Sequence, residues 1–443
     1  MRSKNYTKLG ITGILLLLGS IPSIAACTAD TVGGSTFTCS GTDTTPQIIT
    51  TDNAAVNVAA GYMNTNTLPA ILISATGALS YTDTNASIIN SSNGMGLNIL
   101  QNGGGSGPGS ITITSNGSIT GQESGVETYN SGIGDTVITV TGLVEATSTG
   151  IVAENNNLNS TGKLIINANE IKSEVAIDAR NHNQGDTEIT VTADNIVGGI
   201  SSTNVGVGSN TTIIAKNIST LGEGIMATQS YGDLKITAND ITAGGSGVIV
   251  SANGDGTNGG GVHITSTGTV KAASGVGFSV TNSNEMGGVT IDANNISAVG
   301  EGIWVLNLGA DTIINTTGNI EAEYTAIHIV QTHSGLNTVG NIEINEKSGS
   351  ITGGTNGIDV TNYGLGSITI KVDGDVVGTA GDGILIAQNV NGVHTAENIT
   401  ITQTAGTITG GINGINALND GTGSTNITVA GVVTGGTGAG INT

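Results

Sequence analysis

Gly302-Ile303-Trp304-Val305-Leu306-Asn307 returns as Gly357-Ile358-Asp359-Val360-Thr361-Asn362 and again as Gly414-Ile415-Asn416-Ala417-Leu418-Asn419. With the residue after the glycine taken as anchor, looser copies start at Val126, Ile151, Ile177, Ile200, Ile225, Val248, Phe278, Ile327, Ile384 and Ile441. Twelve steps separate Val126 from Ile441, a mean of about 26 residues each. Each repeat also holds a second alternating run, such as Ile111-Thr112-Ile113-Thr114, Ile189-Thr190-Val191-Thr192 or Ile399-Thr400-Ile401-Thr402. A third, shorter run follows in several repeats, as in Ser350-Ile351-Thr352. Period-two alternation bounded by Gly, Asn, Asp and Ser is the signature of short strands, and no stretch carries a helical period.

One strand phrase per repeat keeps the same environment only if equivalent strands stack in parallel. The expected fold is therefore all-β, a right-handed parallel β-helix solenoid of about 13 or more coils of roughly 26 residues. The hand follows from the rule for parallel crossovers. The prolines agree: Pro22, Pro46, Pro69 and Pro108 are the only four, so residues 109–443 hold none, as a continuous hydrogen-bonded ladder requires. The expected organisation is a signal peptide over 1–26, an N-terminal cap region with the first coils over 27–109, and β-helix repeats over 110–443.

Positions +2 and +4 from the anchor share its inward parity. Asn130, Asn155, Asn181, Asn204, Asn307, Asn362 and Asn419 occupy +4, with Gln331 and Gln388 in two other coils. They are expected to form a structural ladder at a bend, where Asn tolerates unusual backbone geometry and its amide is consumed by hydrogen bonds.

Aromatic residues make up 2% of the chain while apolar residues make up 37%. Small aliphatic side chains must therefore fill a thin, extended core. The formal net charge is −22, and loss of residues 1–26 would remove three cations and deepen it to −25. Such a surface repels phosphate backbones, which excludes nucleic acid as a partner.

Arg2, Lys4 and Lys8, the apolar run Ile14 to Leu18 and the small residues Ala25-Ala26 read as a secretory signal. Export is expected, to the bacterial cell surface, the outer membrane or the medium. Cys27 and Cys39, the only cysteines, most simply form a disulfide in an oxidising compartment. The alternative is a lipoprotein box, Ile24-Ala25-Ala26-Cys27, with Cys27 lipidated.

The signal, the early cysteine pair and phrases such as Gly406-Thr407-Ile408-Thr409-Gly410-Gly411-Ile412-Asn413-Gly414-Ile415 resemble the passenger domains of bacterial autotransporters, over most of residues 27–443. The resemblance implies a surface-exposed β-helix serving adhesion or virulence, with a host-cell or extracellular-matrix molecule as partner. One departure is the absence of a membrane β-barrel before Thr443, so membrane attachment is expected only through a barrel outside this sequence or a lipid anchor.

No catalytic constellation is evident, and the expectation is a non-enzymatic protein with no metal or cofactor. Beyond residue 26 the one arginine is Arg180, there is neither an Asp-Asp pair nor a Gly-His-Gly turn, and no Gly-x-Ser-x-Gly elbow occurs. Of His182, His263, His328, His333 and His394, only His328 and His333 approach metal-ligand spacing, and with His328 facing out and His333 in the following loop they read as a solvated pair. Asp373-Gly374-Asp375 alone is weak evidence for calcium. The alternatives are a polysaccharide-active lyase or hydrolase on the same fold, or a structural spacer.

Positions +1 and +3 should face solvent. Most carry polar residues, but Met226, Ile249, Trp304, Leu306, His328, Val330 and Leu385 are apolar or aromatic. They form the candidate partner-binding patch, with Trp304, Leu306, His328 and Val330 contiguous. The competing expectation folds the loop His333 to Lys347 over Trp304.

Overall fold

The computed structural model describes residues 27–103, 107–254, 259–332, 340–388 and 397–443. The expected signal segment, His333 and His394 lie outside the described residues. Within them the chain is all β, a parallel solenoid of about 14 turns spaced by about 26 residues.

A representative turn consists of Ile303–Asn307, Thr312–Thr316 and Ile320–Ala322. The next consists of Ile327–Gln331, Ile342–Glu346 and Ser350–Gly353. Each strand pairs in parallel with its equivalent one turn on. Three ladders result, here called the first, second and third faces in chain order. In some turns the second and third strands run together through the corner, as in Val289–Ala298. The strand Ile342–Glu346 settles part of one expectation: residues 342–346 build the second face and do not cover Trp304.

Alternation dictates what is buried. Ile303, Val305, Ile314 and Ile320 are fully buried, and each such side chain contributes roughly 1.5–3 kcal/mol. The interior of a coil is narrow, which is why few aromatics are needed. Tyr62, Tyr81 and Phe278 are the largest fully buried side chains. The glycine before the anchor has a steric reason: a Cβ on Gly302 would lie 2.5 Å from the Ala326 carbonyl oxygen and 2.6 Å from Ile320 Cγ2. Ala326 holds the equivalent place one turn later and is fully buried, so the neighbouring turn relaxes enough to accept a methyl group there.

Side chains tie the turns together outside the core. Before the second face, Asp186 Oδ1 accepts the Asn210 N–H, Asn210 Oδ1 accepts the Asp233 N–H, and Asp233 Oδ1 accepts the Gly261 N–H, all at 2.9 Å. Before the first face, Asn356, Asp382 and Asn413 repeat the scheme: each Oδ1 accepts a backbone N–H one turn later, at 2.8 to 2.9 Å. These corner residues are Asx turn-formers that each satisfy a backbone donor of the next coil.

At the N-terminal end, Cys27–Ala29 and Thr36–Cys39 form an antiparallel hairpin turning at Gly33, whose φ is +75°. Its second strand pairs in parallel with Ala55–Val58, so Cys27–Ala29 covers the edge of that one strand of the first coil.

Candidate functional site

The inward +4 column is continuous. Gln101, Asn130, Asn155, Asn181, Asn204, Gln229, Ala252, Asn282, Asn307, Gln331, Asn362, Gln388 and Asn419 stand in register. The amide bonds mostly close each coil on itself. Asn362 Nδ2 donates to the Gly366 carbonyl at 2.8 Å while its Oδ1 accepts the Gly364 N–H at 2.8 Å. Asn181, Asn307 and Asn419 repeat this pattern. Bonds along the rod are fewer, such as Asn282 Nδ2 to Asn307 Oδ1 at 2.9 Å and Asn362 Nδ2 to Gln388 Oε1 at 3.3 Å. The ladder expected along the axis is therefore carried chiefly by the outer corners. Asn282 and Gln229 belong to the column although only their anchors, Phe278 and Ile225, stand out in the sequence.

Cys27 and Cys39 are joined by a disulfide across the hairpin. The Cys27 N–H donates to Gln47 Oε1 at 3.1 Å, and its Sγ lies 3.8 Å from the buried Tyr62 hydroxyl. These residues close the end of the core and form no open site.

The outward rows of the first face carry the candidate patch. Trp304 stands beside His328, and Leu306 beside Val330; all four are half-buried. The remaining members are separate. Ser279 stands between Ile249 and Trp304 in the row, and Asp359 between His328 and Leu385. Met226, 43% exposed, adjoins Ile249. Burial raises the Asp359 carboxyl above its usual range, opposed by the positive field of His328 and by a 2.8 Å hydrogen bond from Asn356 Nδ2.

The same rows hold a cavity of about 640 Å³ near the N-terminal third, lined by Glu123, Glu127, Glu154, Asp178 and Arg180 among others. Sequence reading leaves these acids scattered because they sit one coil apart; the register Glu154↔Arg180 and the row Glu127–Val152–Asp178 gather them. Arg180 Nε donates to Asp178 Oδ1 at 3.1 Å, and its Nη2 donates to Oδ2. Burial pushes the Glu127 carboxyl above the ordinary 4.5, opposed by a hydrogen bond with Ser124, reinforced by Glu123, opposed by Arg180 and reinforced by Glu154. Among the described residues, no three His, Cys, Asp or Glu side chains gather as a metal-holding group.

No family model matches the chain, and no curated protein or solved structure does.

Proposed function

We propose that this protein is an exported, surface-displayed or secreted binding solenoid of the autotransporter-passenger kind, acting in adhesion without catalysis. The contiguous patch of Trp304, Leu306, His328 and Val330 on the outward rows carries the reading. Tryptophan is the side chain most enriched among interface hot spots, and apolar clusters on a face of otherwise polar residues mark binding surfaces. The disulfide of Cys27 and Cys39 supports export, since such bonds persist in oxidising compartments. The partner is a host-cell or extracellular-matrix molecule.

Binding of purified protein to immobilised matrix proteins and to cell surfaces tests the reading. Trp304→Ala should weaken adhesion about tenfold or more, the loss of at least 1.4 kcal/mol, while the β circular-dichroism signal is kept. Unchanged adhesion, or a Trp304 that iodide cannot quench in the free protein, would overturn it. Saturable turnover of a polysaccharide by the pure protein would replace the non-catalytic reading with an enzymatic one.

A further inference from the structure

We propose that the groove running from Glu123 to Met226 on the first face docks an extended cationic peptide segment, its basic side chains in the acidic cavity and an apolar side chain against Met226. This site lies apart from the Trp304 patch and does not rest on it.

Two cavities adjoin along these rows. A second cavity, of about 370 Å³, is lined by Val175, Ser201, Leu221, Glu223 and Met226 among others. The register links it to the first, because Thr149 pairs with Val175, Asp178 with Ser201, and Ser201 with Met226. Between Glu127 and Met226 the row advances four coils, roughly 19 Å at ~4.8 Å each. A peptide of about six extended residues spans that length at ~3.3 Å per residue. A compact ligand would reach only one half.

Charge selects the ligand. The two cavities are lined by six carboxylates, Glu123, Glu127, Glu154, Asp178, Glu174 and Glu223, and by one cation, Arg180. Arg180 already donates to Asp178 through two nitrogens, so the groove keeps a large negative excess. An ammonium or guanidinium group entering the half-buried end gains Coulomb energy that a surface contact in bulk water does not. Complementary charge of this kind steers association and fixes register. Beside Glu174 and Glu223, the other half offers apolar surface: Leu221 is 97% exposed and Met226 43% exposed, and methionine adapts to varied apolar partners. An extended strand sends alternate side chains to the same side, so the implied segment carries basic residues at its first and third positions, over the acidic cavity, and an apolar residue at its fifth, against Met226.

The probe is a short synthetic peptide, Lys-Ser-Lys-Ser-Leu-Ser, fluorescently labelled and titrated against the full chain at physiological ionic strength. Saturable binding is expected, and Glu127→Gln combined with Glu154→Gln should weaken it about tenfold or more. The exposed Glu123→Gln is a second variant that leaves the packed interior untouched and should weaken it severalfold, as should Met226→Ser. The control is Glu145→Gln combined with Glu188→Gln, which removes the same charge from the third and second faces and should leave the affinity unchanged. Equal loss in both double variants would show diffuse attraction to an acidic rod and overturn the proposal. Absence of wild-type binding, or equal binding of the peptide with glutamate in place of lysine, would overturn it as well. Trp304→Ala should leave peptide binding intact, so failure here and failure of the adhesion reading are told apart.

Discussion

Asp382 Oδ1 accepts both the backbone N–H of Asn413, at 2.8 Å, and the side-chain amide of the same residue, at 2.9 Å. Its other oxygen accepts from Asn416 Nδ2 at 3.0 Å. One nearly buried carboxylate thus joins two successive turns at the corner that leads into the first face.

Asp382→Ala should destabilise that corner by about 1 kcal/mol, because the half-buried Asn413 donors lose their nearly buried acceptor. Solenoid turns depend mainly on their neighbours. Amide hydrogen exchange should therefore rise around residues 378–416 and stay unchanged near the N-terminal hairpin. Uniformly faster exchange along the rod would contradict this local picture.

Phe278→Ala should cost about 3–5 kcal/mol. Phe278 is fully buried and stands in the anchor column between Val248 and Ile303. Neither neighbour is large enough to fill the space. Chemical denaturation followed by circular dichroism measures the loss, and a change below about 1 kcal/mol would mean that the coil collapses around the hole.

Reduction of the Cys27–Cys39 bond should barely move the main thermal transition. The hairpin contacts only the first coils, and stability in a stacked array is a sum of neighbour terms. Melting curves with and without reductant check this. A large fall in melting temperature would show that the hairpin organises more than its own end.

Glu127 should make stability fall as pH rises. Its folded carboxyl holds its proton more tightly than the unfolded chain does, since burial raises it above the ordinary 4.5. The folded state therefore binds more protons between those two values, and stability decreases through that window as pH rises. Above it the penalty is constant. Glu127→Gln should flatten this part of the pH profile and raise stability at neutral pH, as read by denaturant midpoints from pH 4 to pH 7. A profile unchanged by the substitution would remove burial of this charge as a cause.

The anchors and their +2 and +4 partners are legible in the sequence because their alternation is local and their burial nearly absolute: Ile303, Val305 and Asn307 are all fully buried. The contiguity of Trp304 with His328 also follows from the repeat, since it needs only the anchor register. The acidic cavity does not. Glu127, Glu154 and Arg180 are each unremarkable in their own coil, and only the stacking of three turns, with residues 122–124 and 147–149 beside them, brings them to one cavity. The outer corner ladders are hidden for a different reason. Asp186, Asn210 and Asp233 have the composition of any turn, and what distinguishes them is an acceptor aimed at a donor more than twenty residues away.

The N-terminal hairpin has a consequence for how the molecule assembles. A parallel stack has two growing edges, and Thr36–Cys39, backed by Cys27–Ala29, occupies one of them. Addition of turns from that end can proceed only toward higher residue numbers, each completed turn serving as the template for the one after it. Pairing partners lie one repeat apart, as Ile303 and Ile327 do, so no turn has to wait for a distant part of the chain. Such a polypeptide can gain structure progressively, in the order in which its residues become available.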